Sequence, residues 1–161
     1  CVGARVDMGK PMIPGIAGRS DAHAVLRKED REHTLTLVSM GNPHAVEFVE
    51  DAEAVDIETI GPKIEHDALF HDRTNVEFVQ IIDAHTIRMR VWERGSGETF
   101  ACGTGAVASA VASILDGYCE PGEITVLLKG GTLHITWDGK AGNAFMEGPA
   151  SYVFEIKDLQ L

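Results

Sequence analysis

Residues 92–117 read W-E-R-G-S-G-E-T-F-A-C-G-T-G-A-V-A-S-A-V-A-S-I-L-D-G. The second half of this stretch decides the fold. From Ala106 to Leu115 the side chains are Ala, Val, Ile, Leu and two serines, and no charge occurs before Asp116. A helix that is apolar all round is buried on every side. This one is far shorter than the ~20 apolar residues that a bilayer span requires. Gly117 is placed to cap its C-terminus, and Pro121 follows.

The other end of the helix carries the chemistry. Cys102-Gly103-Thr104-Gly105 leads into it, so unpaired backbone N–H groups and the positive end of the helix dipole gather beside a thiol. That position favours the thiolate, and the two glycines let a ligand approach the backbone closely. Glu93 and Arg94 add a carboxylate and a guanidinium one short loop upstream. Taken alone, a cysteine at the start of an apolar helix is a small buried hydrophobe. G-x-G beside a helix is a weak phosphate signal, and neither G-x-G-x-x-G nor G-x-x-x-x-G-K-[ST] occurs. The combination of Glu93, Arg94, Cys102, Gly103 and Thr104 is what reads as a catalytic thiol beside an anion-binding helix end.

Composition bounds the function classes. A chain of 161 residues fits one domain and buries on the order of two-thirds of its unfolded surface. Net charge is −11, which argues against nucleic acid and anionic membrane surfaces as partners. The three cysteines, Cys1, Cys102 and Cys119, show no C-x-x-C spacing and no accompanying His cluster, so no metal site is expected. An odd cysteine count and the lack of a signal, transit or lipidation motif lead us to expect a cytoplasmic protein. The first residue is Cys rather than Met, so the natural start is expected to lie elsewhere or to have been removed.

Along the chain, short strands dominate. Ala4–Met8 reads as a strand and residues 11–23, rich in Pro and Gly, as a loop. Residues 24–31 fit a strand or a solvated turn equally. Thr34–Met40 alternates and is β-branched, as a strand is. Gly41-Asn42-Pro43-His44 interrupts it before a second strand at Ala45–Val49. In that turn, Asn42 by itself is a turn residue and His44 by itself a surface imidazole. Ile57–Phe70 has apolar residues at helical spacing, with Gly61-Pro62 expected to break it or restart it, and with His66 and His71 solvated. Asn75–Ile82 and Thr86–Trp92 are strands; in the second, Arg88 and Arg90 form a solvated face. Asn75, just ahead of its strand, is a cap or turn residue on its own. After the apolar helix, Gly130-Gly131 joins Ile124–Lys129 to Leu133–Trp137 as a hairpin, and Asn143–Met146 and Tyr152–Ile156 complete the strands. The fold class is α+β, with strands wrapped around one central helix.

The E-R-G-S-G-E-T-F-A-C-G-T-G-A run of residues 93–106 resembles the segment around the second catalytic cysteine of the diaminopimelate epimerases. Gly41-Asn42-Pro43-His44, Arg73-Thr74-Asn75-Val76-Glu77-Phe78, Asp7-Met8-Gly9 and Gly148-Pro149-Ala150 resemble further segments of that family. The resemblance implies a barrel-like sheet enclosing the central helix, as one of two similar domains facing each other across a cleft. Residues 1–148 would be the C-terminal-type catalytic domain, and 149–161 a tail strand crossing to an N-terminal domain. The family's first cysteine lies in a C-G-N-G motif, which this chain lacks, so the chain resembles the C-terminal half alone.

What the resemblance implies for function is a cofactor-independent epimerase acting on diaminopimelate. Inverting an α-carbon without a cofactor takes one base and one acid on opposite faces. Here Cys102 would be one of the two, with Glu93 and His44 as its acid/base neighbours. Gly103 and Thr104 would supply backbone donors to developing charge. Arg94 would grip the distal carboxylate with Asn42 and Asn75, as guanidinium geometry favours, whereas its bland reading is a surface ion pair with Glu93. The competing readings are a proline- or hydroxyproline-type cysteine racemase, a thiol hydrolase, or a non-catalytic split-enzyme domain. Alone, the chain is expected to be inactive and to self-associate as a homodimer through its cleft or its apolar tail.

Overall fold

The computed structural model describes residues 2–13, 22–28, 31–151 and 153. In chain order the elements are β1 (Val2–Asp7), β2 (His23–Lys28), β3 (Arg31–Ser39), β4 (Pro43–Phe48), α1 (Ile57–Glu65), β5 (Asn75–Asp83), β6 (Thr86–Glu93), β7 (Gly97–Thr99), α2 (Gly103–Leu115), β8 (Gly122–Leu128), β9 (Gly131–Trp137) and β10 (Phe145–Ala150).

Helix α2 is the axis of the molecule. Every residue from Gly105 to Ile114 is buried, as a helix without a polar face requires. One mixed sheet curls around it in the order β1-β10-β9-β8-β6-β5-β4-β3-β2, with β7 paired to β6 alongside this path. The pairs β4/β5 and β6/β8 are parallel; the others are antiparallel. The end strands β1 and β2 do not pair with each other among the described residues. The sheet is therefore a wrapped cup and not a closed barrel.

Strand alternation sorts the side chains into two cores. Val46, Val79, Ile87, Met89, Val91, Ile124, Val126 and Ile135 point inward onto Val107 and Val111 of α2. Leu35, Leu37, Ala45, Val76 and Phe78 point outward and are covered by Ile57 and Ile64 of α1. The central strands are thus buried on both faces, which ordinary one-sided sheets are not.

Two expectations need correction. Helix α1 runs without a break through Gly61-Pro62. Pro62 removes only the N–H that would bond to Glu58, and Glu58 is exposed, so water can serve its carbonyl. Arg90 is not on a solvated face. Its side chain is 10% exposed and donates to Glu98 Oε1 at 2.7 Å. It also donates to the carbonyls of Ala52, Glu53 and Val55 at 3.1, 3.3 and 2.9 Å, because the segment leading into α1 lies across it. Of the two readings offered for residues 24–31, the strand holds where the chain is described: residues 24–28 belong to β2 and Arg31 opens β3. The tail strand expected at Tyr152–Ile156 lies outside the described residues except for Val153, and so does Cys1.

Candidate active site

The residues singled out from sequence meet at one end of the cup. Parallel pairing of β4 with β5 puts His44 beside Asn75. Antiparallel pairing of β5 with β6 sets Val76 against Trp92, which brings Glu93 and Arg94 to the same end. The N-terminus of α2 arrives there from inside the sheet. Strand β7, which the sequence reading omitted, folds the chain back from Glu93 through the Arg94–Gly97 turn and so returns it to Cys102.

Cys102 is the N-cap of α2, with extended backbone (φ −135°, ψ 111°). Its Sγ accepts the Gly105 N–H at 3.4 Å and lies 3.5 Å from Thr104 Oγ1. The first intrahelical bond runs from Ala106 N–H to Cys102 O at 2.9 Å. The N–H groups of Gly103 and Thr104 therefore precede the helix ladder, as the first donors of any helix do. One sequence expectation fails here. Burial pushes the Cys102 thiol above its ordinary range, and the acidic neighbours on the sheet, Glu93 among them, add to this against the opposing effect of Thr104 and Gly105. The helix end supplies donors, but a thiol only 8% exposed with Glu93 nearby does not favour its anion.

His44 is fully buried rather than on the surface. Its Nδ1 lies 2.6 Å from Glu77 Oε1 and its Nε2 lies 3.2 Å from Asn42 Oδ1. Asn42 in turn donates from Nδ2 to Thr104 Oγ1 at 3.3 Å. Asn75 is committed on both sides, donating to Pro43 O at 2.8 Å and accepting the Arg94 N–H at 2.9 Å. It joins the turn before β4 to the turn after β6. Glu93 accepts from the Thr99 hydroxyl. Arg94 is exposed, and its guanidinium donates to Asp72 O at 3.0 Å. Glu93 and Arg94 form no ion pair with each other in this arrangement. An open cavity of about 780 Å³ is lined among others by Ser39, Gly41, His44, Asp72, Thr74 and Arg94; of the residues expected at the site, it touches His44 and Arg94 but not Cys102.

Two carboxylates were missed. Glu77 is fully buried on the inner face of β5, and burial raises its pKa, with the negative charge of Glu93 adding to it against the pull of His44. Glu65, at the end of α1, accepts the Trp92 indole N–H at 2.7 Å and the Gly95 N–H at 3.0 Å. The available signal for Glu77 was a lone acid inside the V-E-F-V run of a central strand, where neither face meets water.

Comparison with known proteins follows the same lines. A family profile described as Diaminopimelate epimerase matches residues 36–153. The diaminopimelate epimerase of Thermosynechococcus vestitus is 48% identical over 161 residues, covering 92% of this chain and 56% of that protein. That of Acetivibrio thermocellus is 49% identical over 158 residues, covering 94% and 56%. Among solved structures, a hydroxyproline epimerase from Agrobacterium vitis aligns with a TM-score of 0.61 at 15% identity, over 92% of this chain and 50% of that one. A probable proline racemase from Agrobacterium radiobacter K84 aligns with 0.61 at 16% identity, over 92% and 51%. At such identities these two share the fold alone. The chain spans little more than half the length of the curated relatives it matches, 56% in both cases. With the profile covering most of its length, and with the thiol, the asparagines and the Glu93–Arg94 turn gathered at one end of its sheet, this chain belongs to the diaminopimelate epimerase family.

Proposed function

We propose that this chain forms one face of a cofactor-independent site that interconverts LL- and meso-2,6-diaminopimelate, with Cys102 as one of two groups that exchange a proton with the α-carbon. The observation that carries the reading is a buried thiol capping the start of α2, next to the helix's first N–H groups at Gly103 and Thr104 and within the influence of Glu93. A carboxylate lying against those N–H groups would have its developing charge stabilised by fixed dipoles. The α-proton could then pass to or from Sγ. Burial suits this thiol to start as the acid, protonated at neutral pH, while the base acts from the opposite face.

Arg94, beside the cavity, is suited to a distal carboxylate, since Asp72 O uses one of its five N–H groups. Asn42 sits between Gly41 and Pro43, which line the same space, whereas Asn75 positions the Arg94 turn. The second acid/base group is expected from the part of the protein beyond this half, which would also cover the rim where Phe100 is 74% exposed. The chain alone is then inactive, and its uncovered face is the surface through which it would self-associate.

The test is incubation of the complete protein with LL-2,6-diaminopimelate in D2O, with L-proline as control. The expected result is deuterium at the α-carbon of diaminopimelate only, abolished by Cys102→Ala. Undiminished exchange in Cys102→Ala, or exchange of proline instead, would overturn the reading.

A further inference from the structure

Glu77 has no place in that scheme, yet it is the most deeply buried acid of the site. Its side chain is 0% exposed, and so is that of His44, to which it is bonded. Oε1 packs against the first turn of α2, where a Cβ on Gly105 would lie 2.9 Å from it and 3.2 Å from Cys102 Sγ. Oε2 has no hydrogen-bond partner among the described residues. An ionised carboxylate with one bare oxygen is among the costliest groups to bury, while a carboxylic acid with one bare oxygen is much less so.

The hydrogen bonds around it fix a direction. Asn42 donates from Nδ2 to Thr104, so its Oδ1 is an acceptor and His44 Nε2 must carry the proton between them. A second proton on Nδ1 would require an ionised Glu77 as its partner, which the bare, buried Oε2 disfavours; in the remaining arrangement Nδ1 accepts, and the proton on the 2.6 Å contact comes from Glu77. At the other end, Thr104 Oγ1 accepts from Asn42, which leaves its own O–H to point at Sγ, 3.5 Å away. Read in order, every donor faces Cys102: Glu77 O–H to His44, His44 N–H to Asn42, Asn42 N–H to Thr104, Thr104 O–H to sulfur. Such chains polarise each member in turn.

We propose that Glu77 is a positioning residue, the protonated head of a one-directional hydrogen-bond chain through His44, Asn42 and Thr104 that delivers a donor to Sγ of Cys102. An amide stands in the middle, so the chain does not conduct a proton. It orients and polarises, and together with the Gly105 N–H it opposes the burial that disfavours the thiolate. The titratable groups facing Glu77 are His44 from β4, Glu93 from β6 and Cys102 at the start of α2. The inference rests on Cys102 as the reacting thiol, but its readout needs no turnover and so fails or stands separately from the epimerase reading.

The experiment is the pH dependence of iodoacetamide alkylation at Cys102, resolved by mass spectrometry of the folded 161-residue chain. Glu77→Met, close in shape and without a donor, is expected to raise the midpoint by about one pH unit, a roughly tenfold loss of rate at neutral pH. Glu77→Gln can donate to Nδ1 as the acid does and is expected to keep the wild-type midpoint. Thr104→Val removes the last donor, and adding Glu77→Met to it is expected to change nothing further. Nitrogen-15 spectra of the unsubstituted chain are expected to show His44 with a bare Nδ1 and a protonated Nε2. An alkylation profile in Glu77→Met identical to wild type would overturn the proposal. So would a shift in Glu77→Gln equal to that in Glu77→Met, or a protonated Nδ1, either of which would make Glu77 an anion.

Discussion

The indole of Trp92 lies so close over Gly61 that a Cβ placed there would stand 2.5 Å from Trp92 Cγ. The same indole donates its N–H to Glu65, one helical turn further along α1. Helix α1 therefore grips the end of β6 at two points, immediately before the turn that carries Glu93 and Arg94. Gly61→Ala would force the ring off the helix. Overpacking of this kind costs about 1–3 kcal/mol. Denaturant unfolding followed by tryptophan fluorescence is expected to show that loss, and a variant as stable as the parent would mean the ring has room to move.

Glu65 accepts from two sides at once, the Trp92 indole and the Gly95 backbone, with its side chain 3% exposed. Glu65→Gln retains a single acceptor oxygen, so one donor is left facing an amide N–H. Leaving a buried donor unsatisfied costs about 1–3 kcal/mol. In the complete protein this variant is expected to raise KM more than it lowers kcat, because the displaced turn carries Arg94. Equal loss in both parameters would assign Glu65 to the chemistry instead.

Cys102 and Cys119 are both buried and free, and burial pushes both thiols up. They differ in their bonds. Cys102 Sγ receives the Gly105 N–H, whereas Cys119 acts as donor, to Asp83 O at 3.7 Å. Donors stabilise the anion and acceptors stabilise the thiol, so Cys102 is expected to alkylate several-fold faster than Cys119 in the folded chain near neutral pH. Faster labelling of Cys119 would refute the helix-end argument.

Much of this architecture was legible because its determinants are local. A run without charge from Ala106 to Leu115, polar only at two serines, can only be a buried helix, and Gly130-Gly131 can only be a tight reversal between β8 and β9. Cys102, His44, Asn42, Asn75, Glu93 and Arg94 were legible as a set through family resemblance, and they do converge. What stayed hidden depends on long-range contact. Arg90 looks solvated until residues 52–55 are laid over it, and Glu77 and Glu65 look like ordinary surface acids until both faces of the sheet are covered. The thiolate was misjudged for the same reason: a helix terminus is visible in sequence, but the depth of burial around it is not.

Arg94→Lys keeps the charge beside the cavity and loses the planar fork. In the structure one guanidinium N–H is used on Asp72 O at 3.0 Å, which fixes the group's orientation. A lysine cannot hold that bond and a two-pronged contact to a carboxylate together. The complete protein carrying Arg94→Lys is expected to lose at least tenfold in kcat/KM for diaminopimelate, about 1.4 kcal/mol of transition-state binding. Unchanged kinetics would return Arg94 to the status of a surface residue.

Acid and base are expected to act on different carboxylates. The Arg90 hydrogen bond holds Glu98 below the usual carboxylate range, with Lys129 adding to it against partial burial. Its folded-state pKa lies below the unfolded one, so its contribution is present above the unfolded value and lost as pH falls through the depressed value. Glu77 behaves oppositely. Burial raises its folded-state pKa, so the unfolded chain releases this proton first. Its contribution is complete below the unfolded value and lost as pH rises through the raised one. Glu77→Gln keeps the neutral group without that titration. The variant is expected to gain on the parent as pH rises across this window, by about 1.4 kcal/mol for each unit of the shift, and to show no such gain in acid below both values. Denaturant midpoints measured from pH 4 to pH 9 test this. A difference between variant and parent that stays flat across the series would mean Glu77 titrates alike in folded and unfolded chains, and that its burial is relieved by a partner.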